Sequence, residues 1–142
     1  MFIGEYEHTL DNKGRMTVPV KFRAALGDTF MMTRGLDQCL FIYTLTDWQQ
    51  VVKKLKQLPM TQKNVRAFTR LFFSGATELS LDKQGRVNIP EKLLLYAQLT
   101  KACTIIGVDT RIEIWSTSHW QEYYAFTSTQ LTTFAEDILQ ID

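Results

Sequence analysis

Residues 2–19 read FIGEYEHTLDNKGRMTVP, and residues 73–90 read FSGATELSLDKQGRVNIP. Set 71 positions apart, Phe2, Gly4, Glu7, Leu10, Asp11, Gly14, Arg15 and Pro19 meet identical residues. These are Phe73, Gly75, Glu78, Leu81, Asp82, Gly85, Arg86 and Pro90. Eight identities in eighteen positions exceed what chance readily arranges, and a second block keeps nearly the same register. There GLDQCLFIYTLTDW (35–48) lies over GVDTRIEIWSTSHW (107–120), at an offset of 72. The chain is a duplication, and that governs every other reading of its fold.

Each copy reads as β-β-α-β-β. The segments 5–10 and 16–18 are short and β-prone and flank a turn containing Gly14, the pattern of a hairpin closed by a bulged or left-handed glycine. Pro19 opens a short helix over 20–26, with Gly27 just past its end. Strands follow at 29–33 and 40–43 around Gly35-Leu36-Asp37. The second copy repeats the order at 77–81, 86–89, a helix over 90–98, then 102–108 and 111–115. After each copy comes a helix opening with a capping-box pattern, Thr46-Asp47-Trp48-Gln49 and Ser118-His119-Trp120-Gln121. The first runs to Pro59 with Trp48, Val51, Val52, Leu55 and Leu58 on one stripe. Helix resumes at Thr61 with Val65, Phe68 and Phe72 on one face. The last carries Trp120, Tyr123, Tyr124, Leu131 and Phe134, with a break in the polar stretch 127–130. Such aromatic stripes read as core rather than as a cofactor box.

A unit of about 40 residues is too small to bury its own core comfortably. Two copies that exchange strands can close a joint barrel and leave no free edge. The fold class expected is therefore α+β and β-rich, a pseudo-dimer within one chain with flanking helices.

Composition narrows the function. With 142 residues, 45% hydrophobic and 22% charged, a packed core is expected and disorder is not. No stretch reaches the roughly 18 apolar residues that span a bilayer. Met1-Phe2-Ile3-Gly4-Glu5 lacks the cationic start and apolar run of a signal peptide, so a cytoplasmic location is expected. Cys39 and Cys103 read as separate thiols in a reducing compartment, and with only His8 and His119 there is no zinc spacing. The net charge of +1 hides an asymmetry. Residues 1–71 hold 11 Lys+Arg against 6 Asp+Glu, whereas residues 72–142 hold 5 against 9. That division suits a basic face for phosphate, or head-to-tail association of identical chains, or two solvated surfaces of different charge.

The functional signal is Asp11-Asn12-Lys13-Gly14-Arg15, echoed as Asp82-Lys83-Gln84-Gly85-Arg86. A structural turn accounts for the Asp and the Gly, since Asp accepts backbone N–H groups and Gly supplies positive φ. It does not account for the same arginine in both copies. A carboxylate four residues before an arginine can hold the guanidinium in one orientation, as a bidentate contact to guanine requires. Lys13 on the first turn, and Lys21 and Arg23 on the helix after it, add cations for phosphate. The second copy offers Lys83 and Lys92 but is weakened by Gln84 and Glu91. So few cations per chain predict modest, salt-sensitive affinity for one chain, and useful affinity from several chains on repeated sites.

These residues resemble the MraZ family, of the AbrB-like, swapped-hairpin group of bacterial transcription factors. The resemblance rests on Met1-Phe2-x-Gly4-Glu5-Tyr6, LDNKGRMTVP, LDKQGRVNIP, RGLDQCLFIY and RAFTRLFFSGATE, and runs nearly end to end. It implies AbrB-like units at 5–47 and 76–119, a helical connector at 48–75 and a C-terminal helix at 120–142. It also implies a ring of identical chains, octameric or dodecameric, associated with the nucleoid. Such a ring would bind G-containing direct repeats of double-stranded DNA ahead of a division and cell-wall gene cluster, usually repressing it. The family's Asp-x-x-x-Arg pairs fall on Asp11/Arg15 and Asp82/Arg86. No cofactor, metal, membrane or enzymatic activity is expected. A scaffold whose turns contact neighbouring chains is the competing reading. A hydrolase pairing Asp11 with Asp82 is disfavoured, because each carboxylate already serves a turn and an arginine and no nucleophile is duplicated.

Overall fold

A computed structural model describes residues 1–139. In chain order the elements are β1 (Phe2–Thr9), β2 (Arg15–Thr17), α1 (Val20–Leu26), β3 (Thr29–Arg34), β4 (Leu40–Thr44), α2 (Leu45–Leu55) and α3 (Lys63–Gly75). The second half holds β5 (Thr77–Ser80), β6 (Arg86–Asn88), α4 (Glu91–Tyr96), β7 (Ala102–Asp109), β8 (Arg111–Ser116), α5 (Thr117–Thr127) and α6 (Leu131–Leu139). A single 3-10 turn over Ser128–Gln130 separates α5 from α6, at the break expected from the polar stretch. The last three residues of the expected C-terminal helix, 140–142, lie outside the described residues.

The protein is α+β, with antiparallel pairing throughout. Six strands form one sheet in the order β1-β7-β8-β4-β3-β5, and β2 and β6 form a separate two-stranded ribbon. Four ladders cross between the copies, one of them joining β4 to β8 about Phe41↔Glu113. β1 pairs with β7 from Phe2↔Asp109 to Thr9↔Ala102, β5 pairs with β3, and β2 pairs with β6 about Met16↔Val87. The expected hairpin of β1 with β2 shrinks to one bridge, Leu10↔Met16. β1 pairs instead with β7 and β2 with β6, which sets Met16 against Val87 of the other copy. The six-stranded ladder also ends at β1 and β5, so hydrogen bonding does not close it into the edge-free sheet expected.

The main core lies between this sheet, the ribbon and the short helices. Met16 and Val87 from the ribbon, Phe22 and Leu26 from α1, and Leu93 from α4 meet Phe30, Met32, Ile42, Ile105 and Ile114. Burying each such side chain contributes about 1.5–3 kcal/mol, and these residues come from both copies. Neither copy could supply that core alone.

A second core covers the opposite face of the sheet. Phe41, Tyr43 and Trp115 meet Phe72 of α3, with Trp48 of α2 stacked on Phe72 at 5.4 Å between ring centroids. Trp120 joins from α5, 5.2 Å from Trp115. The stripes of α2 and α3 thus serve as core through Trp48, Val51, Leu55, Phe68 and Phe72, whereas Leu58 lies past the end of α2 and is exposed. The last stripe does so only in part, because Tyr124, Leu131 and Phe134 are exposed. The helix starts also differ from the capping boxes expected at Thr46 and Ser118. Thr44 accepts from the Asp47 N–H at 3.0 Å and Ser116 from the His119 N–H at 3.4 Å. The strands run directly into α2 and α5, so the last strand residue is the one in cap position.

Repeat identity does not guarantee identical structure. Phe2 and Gly4 lie in β1, whereas their counterparts Phe73 and Gly75 end α3. Strand β1 extends to Phe2, three residues earlier than its β-prone core, because β7 is long enough to pair with it throughout.

Candidate nucleic-acid interface

The turn is a local structure that its sequence dictates. The Gly14 N–H bonds the Asp11 carbonyl at 3.1 Å, and the Asp11 N–H bonds the Arg15 carbonyl at 3.0 Å. The bulge this creates needs positive φ, which Gly14 adopts at +75°. Asp11 Oδ1 accepts the backbone N–H groups of Lys13 and Arg15, each at 2.9 Å. Its Oδ2 accepts Nε of Arg15 at 2.6 Å. The second copy reproduces every contact. Gly85 has φ +75°, Asp82 Oδ1 accepts from Gln84 and Arg86, and Asp82 Oδ2 takes Nε of Arg86 at 2.8 Å.

These donors hold the Asp11 carboxyl down at about 2, the backbone N–H of Arg15 contributing most. Asp82 is lowered by the same contacts from Arg86. Both groups are therefore ionised at neutral pH and act as fixed clamps. Each clamp takes Nε and leaves the two terminal nitrogens of the guanidinium for another acceptor, the geometry of a bidentate contact. Exposed ion pairs of this kind contribute little to stability, so their effect is orientation.

The ribbon brings the two clamps together. Arg15 pairs with Asn88 and Thr17 with Arg86, on either side of the buried Met16↔Val87 pair. Alternation along a strand then directs Arg15, Thr17, Arg86 and Asn88 to the outer face. Arg15 keeps 30% and Arg86 28% of its side-chain surface exposed, so neither is shielded by its own chain. Nη1 of Arg86 lies 3.9 Å from Asp11, which places both guanidinium groups around one carboxylate.

The remaining basic residues distribute differently. Lys13 and Lys83 are exposed on their turns, and Lys21 is exposed on α1, close to Met1, Ile3 and Tyr6 of the N-terminal strand. Arg23 lies on α1, the helix expected after the first turn, but it serves the second turn rather than the first. Its Nε donates to the Val18 carbonyl at 2.9 Å, and its guanidinium lies over Gly85 of the second turn. The symmetric position, Leu94 of α4, lies over Gly14. Each copy's helix thus covers the other copy's turn, and the second turn gains a cation that its own sequence lacks. Lys92 faces elsewhere, donating to the Ser74 carbonyl at 2.9 Å.

Sequence reasoning missed Thr17 and Asn88. Alternation from Arg15 would have turned Thr17 outward, but the partner of β2 was needed to place Asn88 beside Arg15.

The family described as "MraZ protein, putative antitoxin-like" matches the chain twice, over residues 1–71 and 72–141. The two matches divide the chain where the internal repeat does, and together they cover nearly all of it. On that match the chain belongs to the MraZ family, of which it carries two tandem domains.

Proposed function

We propose that this protein is a sequence-specific DNA-binding transcriptional regulator, and that the β2–β6 ribbon enters the major groove. The observation that carries the reading is the pair of clamped, part-exposed guanidinium groups of Arg15 and Arg86 on one outward face. Arginine held in this way suits the O6 and N7 acceptors of guanine. Lys13, Lys83, Lys21 and Arg23 serve phosphate, while Asp11 and Asp82 position the readers. The interleaved ladders are read here as the swapped-hairpin arrangement of the AbrB-like group. One chain has too few cations for tight binding, so a ring of chains engages successive G-containing direct repeats in the promoter of its own division and cell-wall genes. Its place is the cytoplasm, on the nucleoid. No catalysis is assigned, since a carboxyl held at about 2 makes Asp11 a poor proton donor near neutral pH.

Binding of the full chain to a duplex carrying G-containing direct repeats tests this. Arg15→Ala should cost about 1–3 kcal/mol and relax base preference. Unchanged affinity and preference in that variant would overturn the reading. A second reading, a scaffold that contacts only protein, draws on the exposed apolar side chains of α5 and α6, among them Phe126, Leu131 and Ile138. It predicts no steep dependence of DNA binding on salt.

A further inference from the structure

The two strands of the ribbon are copies of one another, yet their outer faces differ at one position. The offset that superposes Arg15 on Arg86 places Thr17 on Asn88. The backbone respects a two-fold relation between them. The Val18 N–H bonds the Gly85 carbonyl at 2.9 Å, and the Ile89 N–H bonds the Gly14 carbonyl at 3.0 Å. An outer face bearing only the two arginines would look the same in either direction along a duplex. It would then favour a palindrome.

Thr17 and Asn88 break that equivalence. Asn88 stands beside Arg15 in register and is exposed. A Cβ at Gly14 would lie 3.9 Å from Asn88 Oδ1, so the carboxamide stands beside the first turn. Thr17 stands beside Arg86 and offers only a hydroxyl and a methyl group. A carboxamide is the side chain that can donate to N7 and accept from N6 of adenine together.

We propose that Asn88 is a specificity-determining residue that reads an adenine next to the guanine contacted by Arg15, and so gives the ribbon a direction on DNA. This rests on the DNA reading above. Cross-strand diagonal neighbours lie roughly 7–8 Å apart, which spans about two base-pair steps, so Arg15, Asn88 and Arg86 address one short, asymmetric site. Directional units on one assembly need sites that all run in the same sense, which a direct repeat supplies and an inverted repeat does not.

Selection from a duplex library with a randomised site, using the full chain, tests this. The parent is expected to select guanines flanked on one side by adenine. Asn88→Ala should keep the guanines and lose roughly five-fold to a hundred-fold discrimination at the adenine. Asn88→Asp, which can only accept, should shift that position toward cytosine. The exchanged variant Thr17→Asn/Asn88→Thr should move the adenine to the other flank. Thermal melts of each variant confirm that the fold persists. If Asn88→Ala and Asn88→Asp both select the parent motif with parent discrimination, this inference is overturned while the DNA reading stands. If the parent selects no motif, or Arg15→Ala selects the parent motif unchanged, the DNA reading fails and this inference falls with it.

Discussion

Nη1 of Arg86 lies 3.9 Å from the Asp11 carboxylate, although the two residues belong to different copies of the repeat. Asp11 already binds Nε of Arg15 at 2.6 Å, so one carboxylate faces both guanidinium groups. The two turns are consequently one electrostatic unit rather than two independent fingers. They are also unequal, because among the described residues Asp82 forms an ion pair only with Arg86.

That inequality separates the two aspartates. Asp11→Asn should disturb the orientation of both arginines, whereas Asp82→Asn should disturb Arg86 alone. The expected outcome is a larger loss of sequence discrimination in Asp11→Asn, measured by competition between a repeat-containing and a scrambled duplex. Equal losses would show that the cross-copy contact is immaterial.

The clamps also predict an acid limit. A carboxyl whose pKa is depressed in the folded state favours folding while ionised. For Asp11 that contribution is complete above the ordinary value of 3.8 and is lost as pH falls toward about 2. Asp82 shifts in the same direction. The melting temperature of the parent should therefore decline across this window, and the double variant Asp11→Asn/Asp82→Asn should lack that part of the decline. Parallel curves for the two proteins would contradict it.

Lys13 is exposed on the first turn, and in the proposed reading it meets phosphate as a point charge. Lys13→Ala should weaken binding to all duplexes alike and reduce the slope of log affinity against log salt by about 1. A change confined to one sequence would instead make Lys13 a base reader.

Gly107 tests the pairing between copies. It lies opposite Gly4 in the β1–β7 ladder, and a Cβ there would stand 2.8 Å from the Ile3 Cα and 2.5 Å from the Phe2 carbonyl carbon. Backbone cannot swing aside as a side-chain tip can. Gly107→Ala should destabilise the protein by about 1–3 kcal/mol in urea unfolding, by forcing β1 away from β7. A variant as stable as the parent would mean that β1 pairs elsewhere.

Much of this protein is legible in its sequence, and the reason is range. The Asp11–Arg15 turn closes through contacts no more than four residues apart, so the sequence of the turn determines it wherever it is placed. The limits of α1 between Pro19 and Gly27, and the break before α6, are likewise written in neighbouring residues. What only the tertiary structure decided is which copy each piece belongs with in space. A three-residue strand such as β2 carries no mark of its partner, and the requirement to bury Met16 and Val87 together selects β6. That pairing put Asn88 beside Arg15. Packing between the copies set Arg23 over the second turn rather than the first, because α1 covers the opposite copy. Local hydrogen bonds shape the parts, and burial of apolar surface shared between distant segments chooses their neighbours.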